Sequence, residues 1–120
     1  MGLKVLVVEN EIVIADELCL ILDKNGYEAL EPALNYYEAI RAFEAEAPHL
    51  AILDIRLSGK KSGLDVAQYI RKKSGMPLIF LTACGDPKSI REMEAYEPLA
   101  CLQKTFSKRE LLDKVEAGNG

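Results

Sequence analysis

Four apolar runs along the chain each end on a polar side chain. Leu6-Val7-Val8 ends on Glu9 and Asn10, Leu50-Ala51-Ile52-Leu53 on Asp54, Leu78-Ile79-Phe80-Leu81 on Thr82, and Leu99-Ala100-Cys101-Leu102-Gln103 on Lys104. Unbroken apolar runs of this length, alternating with helix-like segments, read as parallel strands covered by helices on both faces. The stretches between them carry the helical period. From about Glu11 to Lys24, Ile12, Ala15, Leu18, Cys19 and Leu22 recur at that spacing. Asn25-Gly26 supplies the stop, since both residues tolerate the left-handed conformation that closes a helix.

The remaining elements follow from their punctuation. Glu28 to Pro32 is a short second strand, poorer in apolar residues than the others, and belongs at an edge. Asn35 with Glu38 resembles a capping box and opens a second helix to about Ala47, which Pro48 ends. Leu50 to Asp54 is the third strand, and a polar loop from Arg56 to Ser62 leads to a third helix from about Gly63 to Lys73, with Leu64, Ala67 and Ile70 on one side. Gly75 and Pro77 introduce the fourth strand, and Asp86-Pro87 starts a short, apolar-poor helix to about Ala95. After Pro98 comes the last strand. Ser107 and Glu110 then form a capping box for a helix carrying Leu111, Leu112 and Val115, and Gly118-Asn119-Gly120 reads as a helix stop or the start of a linker. Repeated strand-then-helix units with right-handed crossovers give a doubly wound α/β sheet. With the weak second strand at an edge, the expected fold is a flavodoxin-like parallel sheet of about five strands in the order 2-1-3-4-5, with as many helices.

Composition narrows the class. A chain of 120 residues is one ordinary domain, and with 49% hydrophobic residues disorder is excluded. A net charge of -4 with scattered basic residues lacks the footprint of a nucleic-acid binder, so no direct nucleic-acid contact is expected. No apolar stretch reaches the roughly 20 residues of a membrane span, and the early first strand leaves no room for a signal segment. A cytoplasmic protein without a membrane partner is expected. Cys19, Cys84 and Cys101 are an odd number without metal-site spacing and read as thiols of a reducing compartment, Cys19 on the apolar side of its helix, Cys84 and Cys101 nearer the pocket at the strand ends. The lone His49, after Pro48 and just before a strand, reads as a surface loop residue and supports no catalytic triad.

In an open parallel sheet the ligand crevice lies outside the carboxyl ends of the strands, so Glu9, Asn10, Asp54, Thr82 and Lys104 should face one pocket. Carboxylates, a hydroxyl and a lysine are the parts that hold a divalent cation and a phosphoryl group, because the metal takes oxygen ligands and phosphoryl charge takes cations and hydrogen-bond donors. A nucleotide binder would need a glycine-rich loop after the first strand. The turn there, Glu9-Asn10-Glu11, would repel a phosphate.

Over essentially its whole length the chain resembles the receiver domain of two-component response regulators. The resemblance rests on Val5-Leu6-Val7-Val8-Glu9-Asn10-Glu11, Ala51-Ile52-Leu53-Asp54-Ile55-Arg56-Leu57, Gly63, Phe80-Leu81-Thr82-Ala83 and Leu102-Gln103-Lys104-Thr105-Phe106, in that order and spacing. It implies that Asp54 accepts a phosphoryl group from a sensor histidine kinase or histidine phosphotransfer protein. It also implies that Thr82 and Lys104 bind phosphoryl oxygens, and that magnesium is held by Glu9, Asn10, Asp54 and the carbonyl of Arg56. Phosphorylation would draw Thr82 inward and repack the fourth helix and fifth strand for a downstream protein or effector domain. A homodimer through the fourth and fifth helices, using Arg91, Lys108 and Arg109 with Glu92 and Glu110, is compatible with the resemblance.

Three positions depart from the pattern. Asn10 stands where the second acid is usual and brings an oxygen without charge, so magnesium should bind more weakly; Glu11 is expected to start the helix rather than to fill that gap. Cys101 stands where the family usually has a switching aromatic ring. Thr105 replaces a proline that commonly follows a cis bond, and a non-proline cis bond costs roughly 2.5–4 kcal/mol, so the sequence leaves the Lys104-Thr105 bond open between trans and cis, with a differently set lysine if it is trans. The Arg56 side chain is a candidate to compensate, by pairing with Glu9 or reaching a phosphoryl oxygen. Two readings follow: a phosphate-switched module, or a degenerate receiver that binds a partner without phosphorylation.

Overall fold

A computed structural model of the chain describes residues 2–57, 59–83 and 87–119. Its strands are β1 (Lys4–Val8), β2 (Glu28–Ala29), β3 (Leu50–Asp54), β4 (Leu78–Thr82) and β5 (Ala100–Gln103). Between and after them run α1 (Ile12–Lys24), α2 (Tyr36–Glu46), α3 (Gly63–Lys73), α4 (Pro87–Glu94) and α5 (Lys108–Asn119). All ladders are parallel, in the order β2-β1-β3-β4-β5. The flavodoxin-like architecture expected from the sequence is the one observed.

Alternation along the strands divides the core into two layers. Leu6, Val8, Ala51, Leu53, Leu78 and Phe80 pack with Ala39, Val66, Ala67, Ile70 and Met93, under α2, α3 and α4. The opposite set, Val5, Val7, Leu50, Ile52, Ile79, Leu81 and Leu102, packs with Leu18, Leu22, Leu111 and Val115 from α1 and α5. Every residue of β3 is buried, since it runs through the middle of the sheet with helices on both sides. Burial of aliphatic side chains in both layers, at about 1.5–3 kcal/mol each, fixes the register that aligns the strand ends.

Local differences from the sequence reading have local causes. The β2 ladder stops at Ala29, three residues before the expected end, although Leu30 and Ala33 still donate to Val5 and Val7 at 3.0 and 2.9 Å. Pro32, lacking an N–H, interrupts the pairing, and the Asp23 carboxylate takes the Ala29 N–H, so this edge is blunted. Ile12, expected on the buried side of α1, is 62% exposed; Ala15, Leu18 and Leu22 face the core instead, with Cys19 packed beside them. Asn25 and Gly26 do end α1, Gly26 with φ 90°.

The caps also sort themselves. Ser107 and Glu110 form both bonds of the expected box. Asn35 accepts the Glu38 N–H, but Glu38 returns to the N–H of Leu34 rather than of Asn35. A full box that the sequence reading passed over, Ser62 with Asp65, opens α3. At the other end α5 includes Gly118 and ends at Asn119, within the tail expected to stop it; a β-carbon on Gly118 would lie 2.6 Å from Leu50 and 2.9 Å from Leu99, so the helix packs closely at that point. The N-cap expected at Asp86, like Cys84, lies outside the described residues.

Candidate functional site

The strand ends converge as the sequence pattern requires. Glu9 follows β1 and Asp54 closes β3, the adjacent strand; both are buried, at 0% and 1% relative exposure. Thr82 ends β4, and its carbonyl accepts the Lys104 N–H at 2.9 Å, which sets Lys104 one residue past β5. The Lys104-Thr105 bond is trans. The lysine side chain reaches back across the strand ends, and its Nζ lies 3.0 Å from Asp54 Oδ2, 3.3 Å from Glu9 Oε2 and 2.8 Å from Glu11 Oε1.

Backbone N–H groups orient the same carboxylates. Arg56 donates to Asp54 Oδ1 at 3.1 Å, and Glu11 donates to Glu9 Oε2 at 2.9 Å. Among the described residues Glu9 Oε1 is a buried side-chain oxygen without a hydrogen-bond partner. Burial, which disfavours charge, is the main force on Glu9, and the neighbouring Asp54 adds to it. The Glu11 N–H and the Lys104 charge oppose them, and the balance pushes the Glu9 carboxyl up to about 7. For Lys104 burial acts against the ammonium, but hydrogen bonds to Glu11 and Asp54, with the charges of Asp54 and Glu9, hold its pKa above the ordinary lysine value.

Gly63 holds the acid strand in place from behind. Its N–H donates to the Ile55 carbonyl at 2.8 Å, and a β-carbon on it would lie 1.9 Å from the Asp54 carbonyl oxygen. The start of α3 thus presses directly on the backbone that carries Asp54. The sequence pattern contained this glycine without revealing that it is a packing requirement.

Two expectations about side chains change. Arg56 is exposed, and the cation that pairs with Glu9 is Lys104, so the anticipated Arg56–Glu9 pair is absent among the described residues. Glu11 is the N-cap residue of α1, as expected for a helix start, but its carboxylate also turns into the pocket and makes the shortest of the Lys104 ion pairs. Nothing in the Glu-Asn-Glu sequence announces this, since the partner lysine is 93 residues away. Asn10 is half-buried between the two glutamates. Cys101 does not join the pocket: it sits on β5 beside α4, with its Sγ 3.8 Å from Met93 Sδ. His49 is exposed, as expected, and its Nδ1 accepts the Lys4 N–H at 3.0 Å.

Family comparison agrees with this geometry. The family described as response regulator receiver domain matches residues 5–116. The chain belongs to the response regulator receiver domain family. It is 30% identical over 113 residues to the transcriptional regulatory protein PdtaR of Mycobacterium tuberculosis, an alignment covering 94% of this chain and 55% of that protein. The receiver domain therefore spans about half the length of the curated relatives it matches.

Solved receiver structures superpose closely on it. The signal receiver domain of a modulated diguanylate cyclase from Desulfovibrio desulfuricans G20 is 27% identical with a TM-score of 0.90, covering 98% of this chain and 94% of that one. The N-terminal domain of a response regulator/sensory box/GGDEF 3-domain protein from Carboxydothermus hydrogenoformans is 28% identical with a TM-score of 0.86, covering 96% and 92%. A CheY-like receiver domain protein from Methanospirillum hungatei JF-1 is 25% identical with a TM-score of 0.88, covering 98% and 93%. Among the described residues no helix is long and apolar enough to cross a membrane.

Proposed function

We propose that this receiver domain accepts a phosphoryl group on Asp54 from the phosphohistidine of a sensor histidine kinase or phosphotransfer protein, and that the modification switches a surface on α4 and β5 toward a downstream protein or effector domain. The observation that carries the reading is the Lys104 ammonium held 3.0 Å from the buried Asp54 carboxylate at the mouth of the sheet. In the transfer an Asp54 carboxylate oxygen forms the new bond to phosphorus while the bond from phosphorus to the donor imidazole breaks, and the imidazole leaves with the electron pair. Lys104 offsets charge on the phosphoryl oxygens, and the Arg56 N–H keeps the carboxylate aimed. Thr82, at the end of the neighbouring strand, would add a hydroxyl donor once the phosphoryl is in place.

The residues also suit a hard cation. Among the described residues no group of three or more His, Cys, Asp and Glu side chains is arranged to hold a metal. The pocket does offer two buried carboxylates, with Glu9 Oε1 unpartnered, beside an amide and a main-chain carbonyl. Glu9, Asp54, Asn10 and the Arg56 carbonyl would hold magnesium, which when bound supplies charge neutralisation between carboxylate and phosphoryl. With Asn10 in place of an acid, that affinity is expected to be lower than in a site with both acids.

Intact mass after incubation with a small-molecule phosphodonor tests the reading, with Asp54→Asn as control. One phosphoryl gained with magnesium and only when Asp54 is present supports it. No adduct at saturating magnesium would overturn it in favour of a receiver that binds its partner without phosphorylation, and recovery with Asn10→Asp would place the defect in the metal site.

A further inference from the structure

The carboxylates that share the Lys104 ammonium are not equivalent. The Glu9 and Asp54 side chains are buried at 0% and 2% exposure, whereas the Glu11 side chain is 57% exposed and makes the shortest pair. The Glu11 backbone is fixed, because its N–H is spent on Glu9 and its carbonyl accepts the Ala15 N–H at 2.9 Å. Only its side chain is free to follow the ammonium.

An independent observation points to what the inner carboxylates lack. Glu9 Oε1 is buried and has no partner, even though Lys104 lies against the other oxygen of the same carboxylate. A buried carboxylate oxygen left bare is unfavourable, and a cation entering the pocket would answer it. Lys104 already lies against both Glu9 and Asp54, so any second cation shared by those acids would come close to the ammonium. Two cations at such a distance repel, so the ammonium has to withdraw when the other arrives.

We propose that Glu11 is the berth to which the Lys104 ammonium withdraws when a divalent cation occupies Glu9 and Asp54, so that Glu11 acts as a positioning residue and returns to the pocket the charge that Asn10 omits. The inference rests on the reading that a divalent cation binds beside Asp54. In the metal-free protein Glu11 shares the ammonium with Glu9 and Asp54, whereas in the metal-bound one Glu11 would hold it alone, and that difference is what favours the cation. Without Glu11 the displaced ammonium would have no anion to receive it, and the cation would compete with Lys104 at full strength.

The test is magnesium affinity of the unphosphorylated protein, followed through the amide NMR signals of Glu9 to Glu11 and of Asp54. Glu11→Gln is expected to weaken binding about fivefold to tenfold, and in a Lys104→Met background the same substitution is expected to change affinity less than about twofold. An equal loss in both backgrounds would mean that Glu11 acts on the metal directly, and no loss in the unmodified background would mean that it does not act at all; either result overturns the proposal. A second readout needs no variant: in the magnesium-saturated protein, proton contacts between the Lys104 and Glu11 side chains should persist while those between Lys104 and Asp54 vanish, and the reverse pattern contradicts the berth. A protein that binds no magnesium fails the metal-site reading itself, a result distinct from binding that ignores Glu11.

Discussion

The two sides of the pocket are held in place very differently. On the acid side, β1 and β3 are interior strands, every residue of β3 is buried, and Gly63 packs against the Asp54 backbone so tightly that not even a methyl group would fit. On the other side, β5 is an edge strand with alternating exposure, and Met93 is the buried side chain that α4 contributes among its described residues. Arg71 ties the connection from α4 to β5 to the segment before β4: its guanidinium donates to the carbonyls of Tyr96 and Glu97 at 2.8 and 3.3 Å and to that of Met76 at 2.6 Å. The contrast teaches a division of labour. The acids stand on buried interior strands, while Lys104 follows the edge strand of the segment proposed to change shape, which buries fewer side chains.

The largest expected effect lies on the rigid side. Gly63→Ala drives a β-carbon into the Asp54 carbonyl, so a loss of about 3–4 kcal/mol is expected in urea unfolding, together with a lower rate of phosphoryl uptake. A variant of unchanged stability would show that α3 can slide off the acid strand.

The next effect is a pH dependence. The Glu9 carboxyl titrates near 7 in the fold against an ordinary value of 4.5, so the folded state binds its proton more tightly than the unfolded chain does. Its contribution is therefore fully present below about pH 4.5 and is lost as pH rises through about 7, a fall on the order of 3 kcal/mol at most. Urea midpoints across that range check it, and Glu9→Gln should flatten the curve.

Smaller effects belong to the loosely held side. Met93→Ala removes the apolar anchor of α4, and a loss of about 2 kcal/mol is expected to register locally, as faster tryptic cleavage at the exposed Lys88 and Arg91. Glu97 adopts φ 49° just before Pro98, a left-handed conformation that glycine takes without strain. Glu97→Gly should therefore raise stability by up to about 1 kcal/mol, visible as a higher melting temperature. A fall instead would mean that its side chain anchors the connection.

The same contrast separates what could be read in the sequence from what could not. Leu50 to Asp54 and Gly63 to Lys73 were legible to the residue, because a strand buried on both faces and a helix bounded by a polar loop announce themselves in the pattern. The meeting of Glu9, Asp54, Thr82 and Lys104 followed from topology alone, since aligned parallel strands bring their carboxyl ends together. What stayed hidden were side-chain directions and close packing. Glu11 read only as a helix start, because its partner Lys104 lies 93 residues away in the chain. Arg56 was expected to reach Glu9, yet Lys104 fills that place and the guanidinium remains outside. The tail from Gly118 was read by residue type alone, which did not show the close approach of α5 to Leu50 and Leu99 at Gly118.

Amide hydrogen exchange of the unphosphorylated protein, resolved to short peptides, tests the division between the two sides most directly. The account predicts that Val5 to Val8 and Ala51 to Asp54 exchange only with global unfolding, while α4 and β5 exchange through local opening at far lower denaturant. Equal protection of α4, β5 and the acid strands would contradict it, because no loosely fastened element would then remain for a phosphoryl group on Asp54 to move.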